Sequence, residues 1–341
     1  MKKKNFIRAI VILLVLVTTA VFFVNRNLKK VLSTPLVSTT EKVEFEVKSG
    51  QALGDVIDGL DSRGLIKDKK IVMEYINKNG LDSEVVAGKY SISNFVSLDN
   101  LVYYMNSGIL DNEPVTVTIP EGYDIAGIAG MLESKGIISK SAFLESCREY
   151  KLPGYIKSDR NRKYALEGYL FQDTYEFYKG SSGKVIIDDM TSRFKEIVDD
   201  ISKKKGKTIT NDELDKYITM ASVVEKEAMV QSERGKVASV FYNRLNKNMR
   251  LESCATVLYA LGYHKDVLTY DDLKVSSPYN TYQVSGLPAG PIANPGRACI
   301  EAAISPDKTD YLFFVSKNDG THFFTDNYKE FLKEKAVTQG F

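Results

Sequence analysis

The chain has 341 residues, of which 43% are hydrophobic, 26% charged and 11% aromatic. Those proportions exclude wholesale disorder, and the length suits about two domains. With 46 basic and 44 acidic residues, the formal charge of +2 offers no electrostatic reason to expect nucleic acid as a partner.

Lys2, Lys3, Lys4 and Arg8 precede an apolar run from Ala9 to Val24, and Arg26, Lys29 and Lys30 follow it. The run holds 16 residues, or 19 from Phe6, against about 20 needed to cross a bilayer core. Residues 1–30 are therefore expected to form a cytoplasmic basic tail and a single transmembrane helix, with everything after them outside the cell. A cleaved signal peptide is the alternative, with Thr18-Thr19-Ala20 as a poor cleavage site. Residues 31–42, containing Pro35 among Ser and Thr, read as a linker.

Val43 to Val47 alternates with period two, which predicts a half-buried strand. Ser49-Gly50 makes a turn. Leu53, Val56, Ile57 and Leu60 then recur at helical spacing up to Gly64, and Lys67 to Asn77 reads as a second short helix. Gly88 to Ile92 is a predicted strand, and Asp99 to Asn106 a helix. The same unit returns 72 residues later. Val115 to Ile119 is its strand and Glu121-Gly122 its turn. Ile125, Ile128 and Leu132 match Leu53, Val56 and Leu60, and Gly136 matches Gly64. A strand, a tight turn and two short helices resemble LysM-type modules, which bind glycans containing N-acetylglucosamine.

From about residue 159 the composition changes. Tyrosines cluster and helices lengthen. Five of the nine prolines (Pro278, Pro288, Pro291, Pro295 and Pro306) fall close together. The expected organisation is α+β: a first module with its connecting strand and helix over 43–114, a second over 115–158, and a mixed α/β domain over 159–341. Lys203-Lys204-Lys205-Gly206-Lys207 reads as a solvated loop.

His264, His322, Cys147, Cys254 and Cys299 cannot assemble a histidine-rich zinc site, a Cys-x-x-Cys pair or a disulfide framework. No metal or cofactor is expected. Three thiols outside the cell are most simply explained by burial. Chemistry must then run on carboxylates, tyrosines, amides and hydroxyls.

Three segments suit that chemistry. Glu167 to Phe177 mixes aromatic rings with Glu167, Gln172 and Asp173, a composition that fits sugar faces and hydroxyls. A helix is expected from Asn211 to about Asn246, and it contains Glu225-Lys226-Glu227. Two glutamates two positions apart point about 200° away from each other, so they cannot cooperate as a pair. One of them, desolvated in a cleft, could stay protonated near neutral pH as an acid catalyst requires. Ser277 to Gly296 can form neither a long helix nor a central strand, so it is expected to be a proline-stiffened loop lining a substrate.

Taken together, EGYLFQDTYEF, ASVVEKEA, VASVFYNRL, SPYNTYQVSGLPAGPIANPG and YLFFVSKNDGTHFF resemble the YceG-like family, the MltG endolytic murein transglycosylases. The resemblance covers nearly the whole chain. It implies that 159–341 is a catalytic domain cleaving MurNAc–GlcNAc β-1,4 bonds inside peptidoglycan glycan strands, leaving 1,6-anhydro-MurNAc ends. It also implies Glu227 as the acid/base, with Glu225 as the alternative. Tyr279, Asn280 and Tyr282 are candidates for holding sugar, with Glu167 and Asp173 as secondary wall residues. The implied partners are glycan strands, the cytoplasmic membrane and peptidoglycan synthases of the elongation machinery. A hydrolytic muramidase and a non-catalytic, membrane-anchored glycan-binding scaffold stay open as alternatives. The chain departs from the family at Gln172, where Pro is common, and at Cys254-Ala255-Thr256, where many members carry Asp-Pro-Thr. His322 matches a recurrent family position.

Overall fold

The computed structural model describes residues 43–66, 68–78, 80–81, 85–92, 98–106, 114–263, 265 and 267–339. The expected membrane anchor and linker lie outside the described residues, as does His264. Among the described residues, no helix is long and apolar enough to cross a membrane. Two compact units are present: residues up to 115 together with 176–181, and residues 116–175 together with 182–341.

In the first unit, β1 (Val43–Val47) pairs antiparallel with β2 (Gly88–Ile92), Val43 opposite Ile92. Val43 and Val47 face inward while Glu44 and Glu46 are exposed, as the alternation predicts. Phe45 stacks on its cross-strand partner Tyr90 at 5.6 Å between ring centroids, a pairing that stabilises a two-stranded ribbon. Helices α1 (Leu53–Ser62) and α2 (Lys69–Lys78) lie between the strands in sequence, and α3 (Leu98–Asn106) follows. Leu53, Ile57, Leu60, Ile76, Leu101 and Met105 are buried in one core, which Tyr178 joins.

The second copy repeats this plan. Strand β3 (Val115–Thr118), α4 (Ile125–Ser134) and α5 (Lys140–Glu149) are followed by β4 (Thr174–Phe177), which pairs with β3. Helices α1 and α4 begin and end 72 residues apart, at Leu53 and Ile125 and at Ser62 and Ser134. The turn glycines Gly50 and Gly122 have φ of 82° and 76°, and Gly64 and Gly136 both have φ of 68°. A residue with a Cβ is strained in that left-handed region, so both copies need glycine at the same two places. The second copy belongs to the same compact unit as residues 182 onward. The physical reason is its turn: Gly122 N–H donates to Asn294 O at 3.0 Å and Asn294 N–H to Tyr123 O at 2.9 Å.

Helix α6 (Gly183–Lys205) starts at the Ser182 cap and ends at Gly206 with φ 61°. Lys203, Lys204 and Lys205 form its last turn, where they complement the helix dipole, so this part of the expected loop is helical. The single helix expected from Asn211 to Asn246 is two: α7 (Asn211–Glu227) and α8 (Arg234–Asn246). Thr210 and Glu213 form a reciprocal capping box at the start of α7. Ala228 leaves the helical region at φ −90°, ψ 102°, and a 3₁₀ turn over Gln231–Glu233 restarts the chain. No proline or glycine marks this break. The side chain of Glu227 is drawn to another element there, as described below. Helices α9 (Cys254–Leu261) and α10 (Arg297–Ile304) also pack on α7. A hairpin of β5 (Phe313–Ser316) and β6 (His322–Thr325) follows, and α11 (Tyr328–Gln339) covers it through Tyr328 and Phe331 against Phe313.

Candidate active site

Helix α7 is enclosed on nearly all sides over its second half. Ile218, Met220, Ala221, Ser222, Val223 and Val224 are all buried, which leaves its last turn as the place where polar groups can reach a surface. The Ser222 hydroxyl donates to Thr219 O at 2.7 Å and accepts Ile292 N–H at 3.0 Å, so the proline-rich loop is hooked to the helix.

Glu225 and Glu227 leave α7 toward different helices, as the spacing requires. Glu225 Oε2 accepts the N–H of Gly296, the capping residue of α10, at 2.8 Å. Arg234 lies 3.7 Å from its other oxygen and 3.5 Å from Glu121. A carboxylate at a helix N-terminus beside a guanidinium is a satisfied ion. The Glu121 carboxyl stands where a Cβ on Gly296 would be, so a side chain there would have to displace it. Glu225 is thus committed to holding α10 in place.

Glu227 reaches the head of α9. Ser253 stands at the N-cap of that helix but makes no side-chain capping bond. Its hydroxyl donates instead to Glu227 Oε1, and the Ala255 N–H also bonds toward the carboxyl. Glu227 keeps some accessible surface, yet protein encloses its carboxyl. Burial raises its pKa above the ordinary carboxylate value, while Ser253, His322 and the Ala255 N–H pull the other way without cancelling it. The result is an enclosed carboxyl group biased toward its protonated form, in a residue that keeps some accessible surface.

Cys254 and Tyr282 stand beside it. The Cys254 thiol is exposed and lies 3.2 Å from the Tyr282 hydroxyl, which corrects the expectation that all three thiols are buried; Cys147 and Cys299 are. Both Cys254 and Tyr282 interact electrostatically with Glu227. Thr281 links the loop to this corner: its hydroxyl accepts Ser253 N–H at 3.0 Å and bonds Thr256 at 2.9 Å.

The other expected site residues do different work. Asn280 is fully buried; its amide donates to Leu273 O and Val275 O, and its carbonyl accepts Tyr282 N–H. The Tyr279 hydroxyl accepts Lys163 N–H at 3.1 Å, and its ring packs on Tyr259. These two shape the loop from inside. Glu167 is 1% exposed and receives Ile125 N–H, Tyr259 O–H and Asn294 Nδ2. Burial foremost, with Asp124 nearby, pushes its pKa up to about 8. That is a strongly perturbed carboxyl, but every oxygen is occupied inside the protein and no reacting group can reach it. Asp173 pairs with Arg193 at 2.8 Å on the surface.

The YceG-like family pattern matches residues 45–337 of this chain. The chain belongs to the YceG-like family. An endolytic murein transglycosylase of Bacillus subtilis is 36% identical over 306 residues, covering 86% of this chain and 84% of that protein. Another from Streptococcus pneumoniae is 33% identical, and the match covers 87% of this chain but 58% of the relative. A crystal structure of a putative yceG-like protein from Listeria monocytogenes superposes with a TM-score of 0.57 at 34% identity, covering 86% of this chain and 99% of that one.

In this YceG-like chain, the residue bonded to Glu227 that residue order did not single out is Ser253, which Thr281 in turn holds from the loop. Ser253 carried a signal: a serine directly before the apolar helical run Cys254 to Leu261 reads as an N-cap. Nothing local marked its hydroxyl as aimed at a residue 26 positions earlier.

Proposed function

We propose that this YceG-like protein is an endolytic peptidoglycan lytic transglycosylase with Glu227 as its single acid/base. The observation that carries the reading is the enclosed, protonation-biased carboxyl of Glu227, in a residue that keeps some accessible surface, while Glu225 is turned away and tied to Gly296. The names of the relatives supply the substrate class, murein.

The chemistry needs one carboxyl group. Protonated Glu227 gives its proton to the bridging oxygen as the MurNAc C1–O bond breaks, releasing the GlcNAc hydroxyl and leaving an oxocarbenium-like sugar. The Glu227 carboxylate then takes the proton from the C6 hydroxyl as that oxygen bonds to C1. The product is a 1,6-anhydro-MurNAc end, and Glu227 returns protonated. No water is consumed and no second carboxylate is required, unlike the paired-carboxyl glycosidases. Acid–base help of this kind contributes roughly 10²–10⁴ in rate.

The strand–helix–helix–strand plan of residues 43–92 and the matching helix ends of the second copy support the LysM-like reading. Glycan binding by the first copy would hold a strand for cleavage. The apolar run before Val24 supports an anchor in the cytoplasmic membrane. Nascent strands would then be met as synthases release them.

The deciding experiment is mass spectrometry of uncrosslinked glycan strands incubated with the protein from residue 31 onward. Fragments ending in 1,6-anhydro-MurNAc, one water lighter than hydrolytic ends, are the expected product. Water-terminated ends alone would assign a muramidase, and intact strands would assign a binding scaffold.

A further inference from the structure

The serine that meets Glu227 is held by two fully buried threonines, Thr256 and Thr281. Their protons follow a closed circuit. The Thr256 hydroxyl donates to Ser253 O at 2.7 Å. Its single proton is then spent, so across the 2.9 Å contact Thr281 donates to Thr256 Oγ1. Thr281 Oγ1 in turn accepts the Ser253 N–H at 3.0 Å, and the Thr281 N–H donates to Thr256 Oγ1 at 3.3 Å. Of the three hydroxyls, that of Ser253 alone stands outside the circuit, and it donates to Glu227 Oε1.

The backbone just before Ser253 is bent to deliver it. Glu252 has φ 53°, a left-handed conformation that a residue with a Cβ keeps only where its surroundings impose it. Thr281 O accepts the Glu252 N–H at 3.3 Å, and Arg244 Nη1 donates to Leu251 O at 3.0 Å. The proline-rich loop and α8 hold the bend together.

We infer that Thr281 is a positioning residue for the acid: acting through Ser253, it fixes the hydroxyl that orients the Glu227 carboxyl. The inference rests on the assignment of Glu227 as acid/base. Thr281 is 0% exposed, so it cannot touch a glycan. Its neighbour Tyr282 instead carries its hydroxyl to the exposed Cys254 thiol. Consecutive loop residues thus serve opposite sides of the same corner. A carboxylic acid that receives a hydroxyl proton on Oε1 uses that oxygen as its carbonyl, which puts the acid proton on Oε2. With Ser253 held, Oε2 delivers the proton to the bridging oxygen and takes the next from the C6 hydroxyl. With Ser253 free to turn, the two carboxyl oxygens exchange roles and the donor spends part of its time misaimed.

Steady-state kinetics of the full chain on uncrosslinked glycan strands test the role. Thr281→Val keeps the shape of the side chain and removes the hydroxyl. It should lower kcat on the order of tenfold and leave KM within about twofold of the parent. Thr281→Ser keeps the hydroxyl and should recover most of the loss. Added to Ser253→Ala, Thr281→Val should cost no more than about a further twofold, because its effect passes through Ser253. Multiplied losses in that double variant overturn the inference. So does a Thr281→Ser protein as slow as Thr281→Val, or a loss that falls on KM. If Thr281→Val lacks the native circular dichroism spectrum, Thr256→Val replaces it in the same cycle. That change removes the hydroxyl Thr281 bonds and leaves the Ser253 N–H paired. Full turnover by Glu227→Gln overturns the acid assignment itself, whereas multiplied losses beside an inactive Glu227→Gln protein overturn the role of Thr281 alone.

Discussion

The Ser253 hydroxyl donates to the carboxyl of Glu227 rather than capping the helix that Ser253 begins. One hydrogen bond thereby joins the end of α7 to the start of α9. It also places the carboxyl at a helix N-terminus, where N–H groups favour charge, within surroundings that disfavour it.

Removing the Ser253 hydroxyl should shift the pH dependence in a definite direction. The bond favours the Glu227 carboxylate, so Ser253→Ala leaves the carboxyl protonated to higher pH. The alkaline limb of kcat/KM is expected to rise by up to about one pH unit. A limb that stays in place or moves down would mean that another group sets it.

The two glutamates of α7 should separate cleanly. Glu227→Gln is expected to lose roughly 10²–10⁴ of turnover while melting near the parent temperature. Glu225→Gln removes the charge bound by Gly296 N–H and Arg234, and should cost roughly 1–3 kcal/mol of stability with activity per folded molecule retained. The reverse pattern in turnover and thermal melting would exchange their roles.

Glu167 makes stability depend on pH. Its folded pKa of about 8 lies above the usual value of 4.5, so the folded state binds the proton more tightly than the unfolded chain. The stability it contributes is full below about pH 4.5 and is lost as pH rises through about 8. Glu167→Gln should flatten the fall in melting temperature across that window. A parent and variant with parallel curves would remove Glu167 as the cause.

Gly168 has φ +89°, and a Cβ there would stand 2.6 Å from Pro291 and 2.8 Å from Ile218 Cγ2. Gly168→Ala should therefore destabilise by roughly 2–5 kcal/mol, read by urea denaturation. A near-neutral result would require the proline loop to lift away from α7.

Asn280 and Tyr282 are near neighbours with different tasks. Asn280→Ala strands the carbonyl of Val275 and the N–H of Tyr282, while the carbonyl of Leu273 keeps the Gln283 amide, so its effect should fall on stability, by roughly 1–3 kcal/mol. Tyr282→Phe keeps the ring and loses the hydroxyl beside Cys254, so its effect should fall on kcat/KM. Steady-state kinetics and calorimetry on both variants distinguish them.

Much of this protein could be read from residue order alone, because the signals were local. The alternation of Val43 to Val47, the apolar spacing of Leu53 to Leu60, and glycines where φ is positive all act within a few residues. The same signals made the 72-residue repeat visible. The opposed directions of Glu225 and Glu227 followed from helix geometry. What residue order left undetermined was what each side chain meets across long separations. The break after Glu227, the fate of Asn280 inside its own loop, and the meeting of Glu227 with Ser253 depend on how α7, α9 and the proline-rich loop pack. Burial and partners set a carboxyl's proton affinity, and both come from tertiary contacts that no local pattern encodes.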